Sequence, residues 1–171
     1  MLELSVLDAD KIPLDYSAFS VPALLRTLVD SGDYGAQAEI AIDVPRDLIF
    51  DADQEKISTV INSMLSNAVN YSKPPRRIRI AYVSSAGDTM HRLAIRDNGI
   101  GITNTQLDEI FRTSPQGDPS ANGKKTGRIG LSLSIAKRYV QLHGGFISVD
   151  SVANVGSTFT IHIPKQRPAE V

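Results

Sequence analysis

The chain of 171 residues contains no cysteine, which excludes disulfides, thiolate metal sites and a thiol nucleophile and fits a reducing compartment. It has no apolar run near the ~20 residues that a membrane-spanning helix needs, and acidic residues rather than a signal-like stretch follow Met1. Eighteen Lys and Arg stand against nineteen Asp and Glu, a formal net charge of −1. No overall basic field is therefore available for nucleic acid or an anionic membrane surface, and any anion binding must come from local geometry. What is present, 42% hydrophobic and 22% charged residues, suffices for one domain with one core. The expectation is a cytoplasmic domain with no nucleic-acid or membrane contact of its own, in a parent protein that can itself be membrane-anchored.

Residues 1–19 read as a lead-in rather than core. Pro22 opens an apolar periodicity over Leu24, Leu25, Leu28 and Val29 that stops at Ser31-Gly32, the Pro-first, Gly-last signature of a short helix. Alternation over Glu39–Val44 and the run Leu48–Phe50 predict two short strands. Ile57, Val60, Ile61, Met64, Leu65, Ala68 and Val69 keep the three-four spacing of an amphipathic helix over 53–71, halted by Pro74-Pro75. Two alternating runs, Ile78–Val83 and Leu93–Asp97, predict an antiparallel hairpin. Thr103–Phe111 predicts a short helix, and a second long helix is expected from about Ile129 to His143 before Gly144-Gly145. Phe146–Val149 and Thr158–Ile163 close the chain as a strand pair. The resulting class is α+β, a two-layer α/β sandwich whose mixed, mostly antiparallel sheet is covered on one face by helices.

Two local absences carry more information than the totals. Between Ile57 and Ser72 no residue is charged, although a surface helix normally carries charge on its solvent side. Ser63, Asn67 and Asn70 fall at i, i+4 and i+7, a stripe of short amides and hydroxyls at some cost in helix propensity. Such a stripe suits either a Mg²⁺-phosphate site, where a hard cation takes neutral amide oxygens, or a helix–helix contact lined by small polar groups. Residues 112–128, in turn, lack any large apolar side chain and carry Arg112, Lys124, Lys125 and Arg128 against Asp118 alone. A connection this long and basic reads as a mobile lid or a plain surface loop. Gly127-Arg128-Ile129-Gly130 then leads into a helix whose N-terminus can hold an anion.

The strand alternation aims Asp97 the way Leu93 and Ile95 point, so its carboxylate needs a partner. Asn98-Gly99-Ile100-Gly101-Ile102 follows, with two glycines permitting close backbone approach and two flat apolar side chains. An adenine ring fits this set, Asp97 accepting from its exocyclic amine; a hairpin turn at Asn98-Gly99 is the competing reading.

In this order the pieces resemble the catalytic ATP-binding domain of sensor histidine kinases, in the superfamily shared with gyrase, Hsp90 and MutL. Ser63–Ser72 is similar to the N box, Asp97–Ile102 to the first glycine box and Glu109-Ile110-Phe111 to the start of the F box. Gly127–Lys137 resembles the second glycine box. Gln141–Gly145 and Gly156–Phe159 resemble the closing strands, and Leu4–Leu14 the segment after a dimerisation hairpin.

The resemblance implies that Asn67 coordinates Mg²⁺ bridging the phosphates of ATP, that Asn70 and Tyr71 line the phosphate and ribose side, and that Asp97 selects adenine beside Gly99, Ile100, Gly101 and Ile102. It further implies contacts from Phe111, Gly127, Arg128, Gly130, Leu131, Ser157 and Thr158, with Lys124 and Lys125 as lid candidates. The domain boundaries it implies are a lead-in at 1–19 from an upstream helical domain, an ATP-binding domain at 20–165 with its lid at 112–128, and a tail at 166–171. The implied partners are a phosphoacceptor and dimerisation helical domain, a downstream response regulator and, for the parent, a second copy of itself.

The sequence departs from the family pattern at Ser63, where kinases often carry Asn and the superfamily's ATPases a water-activating Glu; a hydroxyl is a poor base, which argues against a gyrase-type ATPase. Arg128 and Ser132 replace usual glycines, and the second F-box aromatic is missing. These departures motivate the rival reading of a pseudokinase or nucleotide-binding scaffold. None of His91, His143 or His162 precedes an acidic residue as an acceptor histidine would, so the acceptor is expected elsewhere. His143 reads as a cation at a helix C-terminus, and the other two histidines as strand residues.

Overall fold

The computed structural model describes residues 12–106 and 126–169, with only the backbone of 126–132. Strand β1 (Tyr16–Ser20) leads into helix α1 (Val21–Ser31), whose first turn holds Pro22 and whose N-cap Ser20 accepts from the Ala23 N–H. A single turn α2 (Tyr34–Gln37) precedes β2 (Glu39–Asp43) and β3 (Ile49–Asp53). Helix α3 (Gln54–Tyr71) follows, then the hairpin β4 (Arg77–Val83) and β5 (Met90–Asp97). Helix α4 (Thr126–Leu142), β6 (Phe146–Val152) and β7 (Gly156–Pro164) complete the described chain.

Five strands form one sheet in the order β2-β4-β5-β7-β6, in which β2 and β4 are parallel and every other pair antiparallel. In register, Ile80 faces Ile95, Ile95 faces Phe159 and Leu93 faces Ile161. All are buried, so one face of the sheet is a continuous apolar surface. On it lie Ile57, Val60, Ile61, Met64, Leu65, Ala68 and Val69 of α3 and Leu133, Ala136 and Val140 of α4. The opposite face carries Arg77, Arg79 and Arg96, all exposed. Alternation along the strands and the α3 periodicity thus produce the expected two-layer α/β sandwich.

Three expectations change. Residues 16–19, expected outside the core, belong to β1, which pairs with β3 as a separate two-stranded ribbon and buries Phe19 against Phe50. This pairing partner lies far along the chain, so no local pattern announces it. Helix α4 begins at Thr126 rather than near Ile129, placing Gly127 and Gly130 within the helix. His143 is 1% exposed and neutral: its Nδ1–H donates to the Tyr139 carbonyl at 2.7 Å and its Nε2 accepts from the Asp53 N–H at 3.0 Å. Burial lowers its pKa, outweighing the Tyr139 carbonyl and the Asp53 carboxylate, which favour the charged form.

Candidate functional site

Helix α3 ends at Tyr71 and packs on β5, which ends at Asp97; the two C-terminal ends are sewn together by the chain after Asp97. Ser72 bridges Gly99, and the Ile100 N–H donates to the Tyr71 carbonyl at 3.3 Å. The Asn98 amide donates to the Pro75 carbonyl at 2.9 Å and its oxygen accepts from the Arg77 N–H at 3.0 Å. On the other side, the Ile102 N–H donates to Ser151 Oγ at 2.7 Å, and the Asn154 N–H to the Ile100 carbonyl at 2.8 Å. Residues 98–102 are therefore a strap between α3 and the β6–β7 turn, and Asn98-Gly99 is not a hairpin turn.

The two glycines serve this close approach. A Cβ on Gly99 would lie 2.3 Å from the Tyr71 carbonyl oxygen and 2.7 Å from Asp97 Oδ1. Gly101 has φ +72°, and its Cβ would lie 2.3 Å from the Val152 carbonyl oxygen. Each is required by backbone contact within the protein, a condition more stringent than access for a ring.

Asp97 is 6% exposed. Its Oδ1 accepts from the Gly99 N–H at 2.8 Å and the Ser157 N–H at 3.2 Å, while among the described residues no donor reaches Oδ2. Burial raises its pKa, and the two N–H donors oppose that rise without cancelling it. The carboxylate is thus oriented by one oxygen and left with acceptor capacity on the other, which suits a ligand N–H donor.

Asn67 is also 6% exposed, and its Nδ2 is buried with no hydrogen-bond partner among the described residues. A purely structural helix–helix contact would satisfy that amide, because leaving a buried polar atom unpaired costs about 1–3 kcal/mol. Ser63, one turn earlier, is 9% exposed. Among the described residues no group of three or more His, Cys, Asp or Glu could hold a metal. The unpaired Nδ2 is an N–H donor and calls for an acceptor such as a phosphate oxygen, whereas the Oδ1 of the same amide is the atom type that ligates a Mg²⁺ taking the rest of its shell from phosphates and water. The amide therefore fits a Mg²⁺-phosphate group and not an all-protein metal cage.

The remaining expected residues divide. Tyr71 and Ile100 contribute backbone to the strap, and Ile102 packs against the core. Ser157 is 4% exposed and places its Oγ 2.9 Å from that of Ser151. Asn70 is exposed, its Nδ2 3.5 Å from Ser66 Oγ. Thr158 sits opposite Arg96 on the face away from the helices, so it does not join Asp97 and Ser157. Gly127, Arg128, Gly130 and Leu131 lie in the first turns of α4, with only their backbone described; Phe111, Lys124 and Lys125 lie outside the described residues. Thr103 and Gln106 form a reciprocal capping box, the Thr103 N–H on Gln106 Oε1 at 3.0 Å and the Gln106 N–H on Thr103 Oγ1 at 3.4 Å, so the expected helix does start there.

Ser151 and the side chain of Asn98 are contributors that sequence reasoning did not single out. Asn98 stands inside the glycine motif and was available to find, whereas a serine in a closing strand carries no signal.

The family model for histidine kinase-, DNA gyrase B-, and HSP90-like ATPases matches residues 52–167. The chain is 32% identical to the circadian input-output histidine kinase CikA of Synechococcus elongatus over 97% of its own length. It is 28% identical to the sensor histidine kinase WalK of Bacillus subtilis over 99%. It spans only 22% and 28% of the length of those two relatives. Among solved structures, the catalytic domain of histidine kinase ThkA shares the fold with a TM-score of 0.71 at 24% identity, covering 88% of this chain and 96% of that one. Strap, oriented carboxylate and unpartnered helix amide thus occur in a nucleotide-binding domain, and the chain belongs to the histidine kinase-, DNA gyrase B-, and HSP90-like ATPase family.

Proposed function

We propose that this chain binds Mg²⁺-ATP and, joined to a helical domain that bears an acceptor histidine, transfers the γ-phosphoryl group to an imidazole nitrogen. The parent is then a homodimeric sensor kinase that passes the phosphoryl group to a response regulator. The observation that carries the reading is Asp97, buried and held by one oxygen with the other free to accept from the exocyclic amine of adenine. Ile100 and Ile102 offer flat apolar contact to the ring, and Ser157 holds the carboxylate in place. The Asn67 amide oxygen would hold Mg²⁺, with Asn70 and Tyr71 along the phosphate and ribose side. Mg²⁺, when bound with the nucleotide, supplies charge neutralisation at the phosphates.

The start of α4, whose first turn includes the N–H groups of Gly127 and Arg128, would face the phosphates, with Gly130 and Leu131 in the turn that follows; Phe111, Lys124 and Lys125 would be the lid contacts. Ser63 stands where a hydrolytic enzyme needs a base, which favours transfer to an external histidine over transfer to water. Positioning and charge compensation are most of what such a transfer asks of a protein. Radiolabelled ATP added to the chain fused to a histidine-bearing helical hairpin should yield acid-labile, base-stable phosphohistidine. Tightly bound nucleotide with no such product would overturn transfer in favour of a nucleotide-binding scaffold.

A further inference from the structure

Helix α3 has a second polar cluster at its other end, roughly 27 Å from Tyr71 at 1.5 Å per residue. Asp53 caps the helix: its Oδ1 accepts from the Lys56 N–H at 3.1 Å, and its Oδ2 from Lys56 Nζ at 2.9 Å and from the Asp15 N–H at 3.0 Å. Its own N–H donates to His143 Nε2 just beyond the end of α4, and the His143 Nδ1–H is anchored on the Tyr139 carbonyl. The Tyr16 ring meets the His143 ring edge-on at 5.7 Å, and Lys56 Nζ lies 5.8 Å from the centre of the Tyr139 ring. One cluster, buried at Asp53 and His143, therefore ties three elements: the chain arriving at β1, the start of the helix that carries Asn67, and the end of α4.

We propose that the Asp53–His143 cluster is a positioning device that fixes the direction of the incoming chain against both nucleotide-bearing helices, setting the rate of phosphoryl transfer to a preceding domain without contributing to nucleotide affinity. This inference rests on the function proposed above. Its physical basis is directional. The Asp15 N–H bond orients the chain immediately before β1, and it ends on Asp53, whose buried carboxylate is satisfied on both oxygens, the condition under which a polar network rigidifies its surroundings. Transfer between domains is sensitive to that stiffness, since a misplacement of about 1 Å can cost roughly 100-fold in rate.

The test uses the chain fused to a histidine-bearing helical hairpin, in wild-type, His143→Leu and His143→Gln forms, the last retaining an acceptor for the Asp53 N–H. For His143→Leu the expectation is a KM for ATP within roughly threefold of wild type, a kcat lower by roughly tenfold or more, and faster exchange of the Asp15 and β1 amides. His143→Gln should recover much of that kcat. Should His143→Leu fail to fold, Asp53→Asn, which keeps a helix cap but loses the Lys56 ion pair, is read by the same criteria. An unchanged kcat, or a KM that rises in step with the fall in kcat, overturns the inference and leaves the proposed function intact. A wild-type fusion that forms no phosphohistidine overturns both.

Discussion

Asp53 and Asp97 are both acidic, both buried and both near an end of α3, yet their pKa values are shifted in opposite directions. Burial pushes both pKa values up. For Asp53 the Asp15 and Lys56 donors together outweigh that penalty and hold it below the usual carboxylate range. For Asp97 the N–H groups of Gly99 and Ser157 do not. The difference is in how completely the protein answers each carboxylate. Both oxygens of Asp53 are engaged and a cation lies beside them, whereas among the described residues only one oxygen of Asp97 has donors. A satisfied buried carboxylate belongs to the framework; an under-satisfied one is the candidate for a ligand contact, as proposed for Asp97.

The contrast is broken if the two aspartates can exchange consequences. The largest expected effect is on Asp97→Asn, which should weaken adenine-nucleotide binding by roughly 10- to 150-fold, the worth of a charged hydrogen bond. Its thermal melting should stay level or rise, because a neutral amide removes the desolvation penalty. Calorimetric titration showing wild-type affinity would remove Asp97 from the site. Asp53→Ala should behave in the converse way, losing about 2–4 kcal/mol in denaturant unfolding through the lost cap and ion pair, with nucleotide affinity retained while folded.

Asn67→Ala sharpens the comparison on the helix itself. Stability should move by only about 1 kcal/mol, since the loss of packing is offset by removal of an unpaired buried amide, while the Mg²⁺ dependence of ATP affinity disappears. An unchanged Mg²⁺ response counts against the assignment.

The pH dependence of stability separates the histidines from the acids. His91 stacks on Phe50, its Nδ1 lies 2.8 Å from Tyr82 Oη, and burial together with Lys165 lowers its pKa to about 4. The pKa values of His143 and His162 are lowered too, mainly by burial. Below a pKa near 6.5 the unfolded chain binds protons that the folded chain refuses. Stability should therefore fall as pH drops from about 6.5 towards about 4. Asp53 adds its own loss lower still, as pH falls through its depressed folded pKa. Asp97 works in the opposite sense, since its raised folded pKa makes protonation easier in the folded state. His91→Phe should flatten the upper part of this curve in denaturant melts across that range. The smallest effect is expected for Arg167→Ala, which removes an exposed fork on Asp51 at 2.7 and 2.8 Å and a contact 4.9 Å from the Tyr16 ring centre. Its melting shift should be the least of the set.

Much of this was legible in the chain because it rests on short periods. The α3 stripe, the β4–β5 hairpin and the inward turn of Asp97 all follow from spacings of two, three and four residues, and the family motifs lie within those elements. The pairing of β1 with β3 depends on partners such as Tyr16 and Asp53 that no local pattern links. The part played by Ser151 was equally hidden, because its partners Ile102 and Ser157 come together only when β6 and β7 form. His143 shows the same limit from another side. A histidine after a helix suggests a cation interacting with the helix dipole, and only its burial, with the Asp53 N–H pointing at its ring, makes it neutral.

By itself the sequence determined most of the elements after β1, which of their residues face the core, and that a carboxylate, two glycines and an uncharged amide stripe follow in one order. These follow from local stereochemistry and from the cost of burying the wrong group. Only the tertiary structure decided which buried polar groups are answered and which are left open, because hydrogen bonds such as Asp53 to Asp15 or Asp97 to Ser157 join residues far apart in the chain. The charge-free stretch from Ile57 to Ser72 is the plainest case. Its composition singled it out, and packing then left the Asn67 Nδ2, like Arg76 Nε, buried without a partner among the described residues.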